Sequence, residues 1–232
     1  KAAHTPECEP KFIRPQILES LDRLNIPKID IFCLHRDNRN VPVDEFVDVL
    51  SDIQKEGLIE IYGASNWELD RFSSARANAK KNKKEPFSAL SNNFSLAEMM
   101  QPVWPGCVGV NEKFLEYIIN EKILLFPWSS QARGFFIKKK EQTSNEHFSN
   151  PTLDEEMRVW HYEKNLKRRE KCFELAEKKS VEPIQIALAY VLHQSDLIFP
   201  LIGPRTLSET NSSIDATKIK LSVKELEELS QD

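Results

Sequence analysis

Glycine is scarce in this chain, and its six glycines form none of the phosphate-binding motifs of glycine-dependent nucleotide folds. Neither G-x-G-x-x-G nor G-x-x-x-x-G-K occurs anywhere in the 232 residues. Both motifs bring backbone N–H groups against phosphate where a strand turns into a helix. Their absence argues against a dinucleotide fold of the glycine-fingerprint kind.

Three further absences narrow the class of protein. The four cysteines show no CxxC or Cys/His spacing, so neither a zinc site nor a disulfide framework is indicated, and a reducing, cytoplasmic setting is expected. No run reaches the ~18 apolar residues that a membrane span needs. A net charge of -4 with a pI near 5.9 gives no global reason to expect nucleic acid or an anionic membrane as a partner.

Stretches with apolar residues at helical spacing alternate with short apolar runs that are typical of buried strands. Gly57 follows the second helical stretch at the place where a left-handed residue ends a helix. The predicted helices are residues 13–24, 44–55, 68–80, 111–120, 155–179, 183–193, 207–214 and 223–230, and the predicted strands are 29–34, 58–62, 88–94, 123–128 and 197–202.

Strands separated by helices pair in parallel through right-handed crossovers, which leaves a doubly wound sheet or a (β/α) barrel. In a barrel the chemistry lies at the carboxyl ends of the strands. Polar residues follow the predicted strands here: His35-Arg36-Asp37, Ser65-Asn66, Ser91-Asn92-Asn93, Ser129-Ser130 and Gly203-Pro204-Arg205. Five strands are fewer than the eight of a closed barrel, so we expect either further strands from elsewhere in the polypeptide or an open fold.

Four motifs carry a specific resemblance, and each lies at a strand end. They are Leu34-His35-Arg36-Asp37, Gly63-Ala64-Ser65-Asn66-Trp67, Trp128-Ser129-Ser130-Gln131-Ala132-Arg133-Gly134 and Ile202-Gly203-Pro204-Arg205-Thr206. Their identity and order resemble the aldo-keto reductase family, and the last two resemble its bacterial-type, multi-substrate branch. The resemblance implies an α/β fold, a (β/α)8 TIM barrel. It covers the later two-thirds of that barrel, so residues 1–232 are expected to be a single domain with the first strands absent.

This resemblance implies an enzyme that reduces an aldehyde or ketone with NADP(H) or NAD(H). Family members use an Asp, a Tyr, a Lys and a His, and His35 and Lys1 match the last two. The Asp and the Tyr lie earlier in the family and have no counterpart here. The four tyrosines of the chain fall in the wrong elements to replace the acid. Since the developing oxyanion needs protonation or stabilisation, we expect residues 1–232 alone to be inactive.

Cofactor contacts are likewise implied by the resemblance. Ser65 and Asn66 match the pair that binds the nicotinamide carboxamide, and Ser91 stands where the family usually has Gln. Trp128 matches the aromatic residue that stacks on the nicotinamide ring. Ser129, Gln131 and Arg133 match the loop over the pyrophosphate, and Gly203 and Arg205 match the adenosine-phosphate region. Because Glu209 places an acid near that region, the choice between NADPH and NADH stays open.

Several of these residues also have a purely structural interpretation. His35 and Trp128 can be core residues, and Ser65-Asn66 can be a turn after a strand. Trp67 and Trp104 fit either a substrate cleft or packing. Residues 131–151 form a long polar stretch that suits a lid or an unstructured loop. For the whole chain, the alternatives to an enzyme are a nucleotide-binding module without catalysis and an inactive fragment. The substrate and the oligomeric state are not predicted.

Overall fold

The computed structural model describes residues 8–137 and 158–231, and its elements alternate between helices and strands. The strands are β1 (Ile29–Leu34), β2 (Ile59–Ser65), β3 (Ala89–Ser91) and β4 (Leu124–Leu125). The helices are α1 (Pro10–Leu24), α2 (Val43–Lys55), α3 (Leu69–Lys81), α4 (Glu112–Asn120), α5 (Glu163–Lys179), α6 (Pro183–Leu192), α7 (Leu207–Ala216) and α8 (Val223–Ser230), with a 3-10 turn at Ala132–Gly134.

Each predicted helix corresponds to a helix of the structure, although residues 155–157 at the start of the fifth prediction lie outside the described residues. The first four predicted strands are also confirmed, but β3 and β4 are shorter than predicted. The fifth prediction, over residues 197–202, is wrong, because the described part of the chain has no strand there. Pro200 lies inside this stretch and has no N–H to give to a ladder.

Two compact units make up the chain, one formed by Lys1–Asn92 with Lys113–Leu125 and one by Asn93–Glu112 with Phe126–Asp232. The first unit contains the parallel sheet, in the order β1-β2-β3-β4. Gly63 of β2 pairs with Ala89 of β3, and a Cβ at Gly63 would overlap the Ala89 carbonyl. Only glycine therefore allows these two strands to approach this closely.

An aromatic cluster forms part of the core of the first unit. Trp67 is fully buried, with its ring centroid 5.6 Å from that of Phe46 and 5.4 Å from that of Phe87. Of the two interpretations of Trp67, the structure therefore supports packing. Gly57 follows α2 with φ +78°, which confirms that a left-handed residue ends this helix.

The second unit is helical in its C-terminal half. Pro183 occupies the first turn of α6, and a capping box between Glu182 and Gln185 closes its N-terminus. The capping box predicted at Ser222 is present at the start of α8. At the other end of α8, Arg168 donates to the Ser230 carbonyl at 2.8 Å and Lys171 donates to the Gln231 carbonyl at 3.0 Å. Among the described residues, no helix combines the length and the apolar character that a membrane crossing requires.

Candidate functional site

Polar side chains gather at the carboxyl ends of the strands in the first unit. Lys1 lies outside the described residues. His35 follows β1 directly and has an exposed side chain, so it is not a core histidine. Its backbone carbonyl accepts a hydrogen bond from the Asn66 amide at 3.4 Å, which connects the end of β1 to the end of β2.

Ser65 and Asn66 are held in one hydrogen-bonded group with the end of β3. The Ser65 hydroxyl donates to the Ser91 carbonyl at 2.6 Å, and the Asn66 amide donates to the Ser65 hydroxyl at 2.9 Å. Asn66 has φ +59°, a left-handed conformation that asparagine tolerates better than most residues. Ser91 takes part here through its backbone oxygen. The structure thus brings together four of the predicted residues, His35, Ser65, Asn66 and Ser91.

Asn92 completes this group, and the sequence-based site prediction missed it. Its side chain is fully buried, accepts the Asn66 backbone N–H at 2.6 Å and donates to the Trp67 carbonyl at 2.9 Å. The side chain thereby fixes the backbone at two consecutive positions after β2. The available signal was the run Ser91-Asn92-Asn93 after an apolar strand, which marks three polar residues at one strand end without saying which of them is structural.

Asp37 was not predicted as a site residue, and it anchors the loop that follows His35. Both of its carboxylate oxygens lie 3.1 Å from Nε of Arg71 on α3. Burial raises the pKa of the Asp37 carboxyl, and the adjacent Arg71 guanidinium acts in the opposite direction. The largest cause is desolvation, so the ion pair only partly compensates for the buried charge.

Trp128 begins the predicted cofactor loop in the second unit. Its carbonyl accepts a hydrogen bond from the Asn93 amide at 3.0 Å, and Trp128 and Asn93 also form a parallel β-bridge. The indole Nε1 is buried, and within residues 8–137 and 158–231 no hydrogen-bond partner reaches it. A buried indole N–H usually has a partner, and the buried Nε1 atoms of Trp67 and Trp160 also have none among the described residues.

The loop after Trp128 is tightly wound. Positive φ angles occur at Ser129 (+49°), Ala132 (+47°), Arg133 (+51°) and Gly134 (+96°). The turn is closed by the Ala132 N–H, which donates to the Ser129 carbonyl at 2.8 Å, and by the Gly134 N–H, which donates to the Gln131 carbonyl at 3.2 Å. This backbone places Ser129, Gln131 and Arg133 on one short loop.

Gly203 and Arg205 lie in an exposed segment just before α7. The Leu201 N–H donates to the Pro127 carbonyl at 3.0 Å, and the Leu201 carbonyl accepts from the Ser130 hydroxyl at 3.0 Å. These two bonds join Leu201, two residues before Gly203, to the residues on either side of Trp128 and Ser129.

Glu209 is engaged with Arg205 rather than isolated. Its carboxylate accepts the Arg205 backbone N–H at 2.6 Å and lies 3.5 Å from the Arg205 guanidinium. Thr206 caps the same turn by accepting the Glu209 N–H at 3.1 Å. The charge that the sequence placed near the adenosine-phosphate region is therefore partly neutralised within α7.

Cysteine chemistry and metal binding gain no support from the described residues. Burial raises the pKa of Cys33 and of Cys172 to about 12, and that of Cys8 to about 11, so these thiols stay protonated near neutral pH. No group of three His, Cys, Asp or Glu side chains with metal-binding geometry occurs in residues 8–137 and 158–231. The remaining candidate chemistry is that of the strand-end residues.

Family comparison agrees with the strand-end motifs. The model of the Aldo/keto reductase family matches residues 1–231. The chain belongs to the aldo/keto reductase family. It is 27% identical over 227 residues to "Probable aldo-keto reductase 1" of Glycine max, a match that covers 96% of this chain and 60% of the relative. It is 26% identical over 221 residues to "Norsolorinic acid reductase A" of Aspergillus parasiticus, covering 94% of this chain and 52% of the relative.

Solved structures of aldo-keto reductase type share the fold. A thermostable aldo-keto reductase in complex with the inhibitor epalrestat aligns with a TM-score of 0.70 at 18% identity, covering 96% of this chain and 66% of that one. The glycerol dehydrogenase of Gluconobacter oxydans aligns with a TM-score of 0.74 at 19% identity, covering 97% and 64%. This aldo/keto reductase chain thus spans between about half and two-thirds of the length of these proteins.

Proposed function

We propose that the protein is an NAD(P)H-dependent oxidoreductase that reduces an aldehyde or ketone to an alcohol. The observation that carries this proposal is the group at the ends of β1, β2 and β3, where His35, Ser65, Asn66 and the neighbouring carbonyls meet within one hydrogen-bonded arrangement. Catalytic groups of (β/α) barrels lie at this edge of the strands. Family membership supports the same class of reaction.

The residues present suit a nicotinamide nucleotide. The indole of Trp128 has a flat face for stacking, and its buried Nε1 has no hydrogen-bond partner among the described residues. Arg133 and Arg205 have the guanidinium groups that phosphate oxygens prefer. Both NADP(H) and NAD(H) stay within the proposal, because Arg205 favours a phosphate whereas Glu209 beside it competes for the same guanidinium. When bound, the cofactor supplies the hydride.

The side chains of this chain would bind and orient the reactants. In this proposal Ser65 and Asn66 hold the carboxamide of the nicotinamide. His35, whose side chain is exposed, orients the carbonyl group of the substrate. Lys1 lowers the pKa of a phenol acid, because a phenol of pKa near 10 needs an adjacent cation to act near neutral pH.

The proposed enzyme also requires a closed barrel and a catalytic acid. Four parallel strands are described, whereas a closed barrel of this type has eight. We infer that residues 1–232 belong to one aldo/keto reductase domain, since the family model spans residues 1–231. The missing strands and the Asp/Tyr pair would come from elsewhere in the polypeptide, so residues 1–232 alone would be inactive. The cysteine spacing places the protein in the cytoplasm in this proposal.

A nucleotide-binding module without catalysis is the second candidate, and the tyrosines favour it. Tyr62 is buried, its hydroxyl donates to the Glu85 carbonyl, and burial raises its pKa well above its usual range. Tyr190 is also buried with a raised pKa, again chiefly through desolvation. Neither hydroxyl is therefore suited to act as an acid near neutral pH.

Binding and turnover measurements on the intact protein distinguish the two candidate functions. NADPH and NADH are titrated separately by fluorescence, and turnover is measured with a panel of aldehydes and ketones. For the enzyme, His35→Ala is expected to lower kcat by about 100-fold or more while the nucleotide dissociation constant stays the same. His161→Ala, at an exposed histidine of the second unit, is the matched control.

Three results decide between the proposals. Unchanged turnover in His35→Ala contradicts the assigned role of this histidine. Nucleotide binding without turnover of any substrate in the panel supports the module. The absence of nucleotide binding rejects both proposals.

A further inference from the structure

The side chain of Trp104 is about half exposed (47%), and its ring is in contact with a cationic side chain. The guanidinium carbon of Arg133 lies 5.3 Å from the centroid of the Trp104 ring, within the range of a cation–π contact. Trp104 belongs to the irregular segment between Asn93 and α4, and Arg133 belongs to the loop after Trp128. Both residues are in the second unit, so one contact joins two of its loops.

The backbone around Trp104 is held by hydrogen bonds. Arg158 donates to the carbonyls of Pro102 at 2.6 Å and Val103 at 3.1 Å. The Cys107 N–H donates to the Trp104 carbonyl at 3.0 Å, which closes a turn from Trp104 to Cys107. A surface tryptophan with a fixed backbone on both sides is a rigid platform rather than a free side chain.

Arg133 gains from such a platform. Its backbone is fixed in a left-handed conformation at φ +51°, but the long arginine side chain loses rotamer entropy when it binds a ligand. Stacking on an indole uses the flat face of the guanidinium, whereas a bidentate phosphate contact uses its edge. The two interactions are therefore compatible, and the first lowers the entropy cost of the second.

We propose that Trp104 is a positioning residue that holds the Arg133 guanidinium ready for the diphosphate of a nicotinamide nucleotide. The inference rests on the proposed function, in which Arg133 contacts that diphosphate. Trp104 itself touches no phosphate in this scheme and acts through Arg133. The half-exposed indole then serves nucleotide binding and does not line the substrate cleft or act as simple packing.

A second arginine–aromatic contact occurs in the same unit. The Arg169 guanidinium carbon lies 4.7 Å from the centroid of the Phe173 ring and 5.5 Å from that of the Phe135 ring. One of its terminal nitrogens donates to the Ile137 carbonyl at 3.2 Å, so the edge of this guanidinium already binds the protein. Phe173→Leu is a matched control, because it removes an aromatic partner of Arg169 and leaves the Trp104–Arg133 contact in place.

The test measures the affinity of the intact protein for ADP, NADPH and NADH by calorimetry, which needs no turnover. Trp104→Leu is expected to weaken each affinity by about 2- to 5-fold, and Trp104→Phe is expected to restore most of the loss because it keeps an aromatic face. Phe173→Leu is expected to leave all three affinities unchanged. In an Arg133→Met background, Trp104→Leu is expected to add nothing.

Each outcome has a separate meaning. If Arg133→Met leaves ADP affinity unchanged, the proposed role of Arg133 fails, and the inference about Trp104 fails with it. If Arg133→Met weakens binding but Trp104→Leu does not, only the inference is overturned. An equal loss from Trp104→Leu with and without Arg133 means that the indole acts by another route, which also overturns it. Trp104→Gln serves as the second non-aromatic variant if the leucine variant is poorly folded by circular dichroism.

Discussion

Arg71 binds the loop after β1 through Asp37, because the Arg71 Nε lies 3.1 Å from both carboxylate oxygens of Asp37. Another nitrogen of the same guanidinium donates to the carbonyls of Asn38 at 3.1 Å and Val41 at 2.5 Å. The Arg71 guanidinium carbon also lies 5.1 Å from the centroid of the Trp67 ring. Only 12% of the Arg71 side chain and 10% of the Asp37 side chain are exposed. The loop that begins at His35 is thereby tied to α3.

Replacing Arg71 by methionine should therefore destabilise the protein strongly. The variant leaves the Asp37 carboxylate buried without its cation, which costs about 3 kcal/mol in the free energy of unfolding. Urea unfolding followed by circular dichroism measures the loss. Arg39→Met is the control, because the Arg39–Asp70 pair on the same loop and helix is exposed and contributes at most about 1 kcal/mol. Equal losses in the two variants would contradict the role given to Asp37.

Asn92 should matter for both stability and nucleotide binding. Asn92→Ala leaves the Asn66 N–H and the Trp67 carbonyl without their buried partner, at a cost of about 1–3 kcal/mol for each group. Because Asn66 then loses its fixed backbone, the affinity for NADPH should fall more than the affinity for ADP, which lacks nicotinamide. Calorimetry with both ligands measures the difference. Asn82→Ala, at an exposed asparagine, should change neither quantity, and an equal fall for both ligands would count against the proposed role of Asn66.

Glu121 should make stability depend on pH in the acid range. Lys80 donates to its carboxylate at 2.6 Å and the buried Arg76 at 2.9 Å, and these bonds lower the pKa of Glu121. A carboxyl whose pKa is lower in the folded state stabilises the protein above its unfolded pKa, and this contribution disappears as the pH falls through the lowered value. Glu121→Gln should therefore cost about 1 kcal/mol at pH 7 and much less at pH 3.

Stability curves from pH 3 to pH 7 for the wild type and Glu121→Gln measure this effect. Glu116→Gln, at an exposed position of α4 just before Glu121, is the control and should follow the wild type throughout. A difference between Glu121→Gln and the wild type that stays constant with pH would show that the carboxylate charge is not the cause.

Local patterns in the sequence were sufficient for most of the fold. Apolar runs predicted β1 to β4, and Gly57 and Ser222 marked the helix boundaries at which they are found. The run at 197–202 has the same apolar character and forms no strand in the described structure. Pro200 was a signal against a strand there, because it has no N–H for a ladder. A strand also needs a neighbouring strand to pair with, and the local pattern does not specify one.

The site was predicted only in part, because hydrogen-bond partners depend on strand register. Ser65 of β2 lies opposite Ser91 of β3, and this register places the Asn92 side chain against the backbone of Asn66. Nothing in the spacing of these residues along the chain specifies that alignment. The two tryptophans illustrate the same limit, since Trp67 is buried among aromatic rings whereas Trp104 is half exposed.

The ties between α5 and the last turn of α8 have a practical consequence for protein engineering. Arg168 and Lys171 bind the backbone carbonyls of Ser230 and Gln231, and Leu229 is buried just before them. A shortened version ending at Glu228 would remove both of these carbonyl acceptors together with the buried Leu229, and it should therefore express less well than one ending at Gln231.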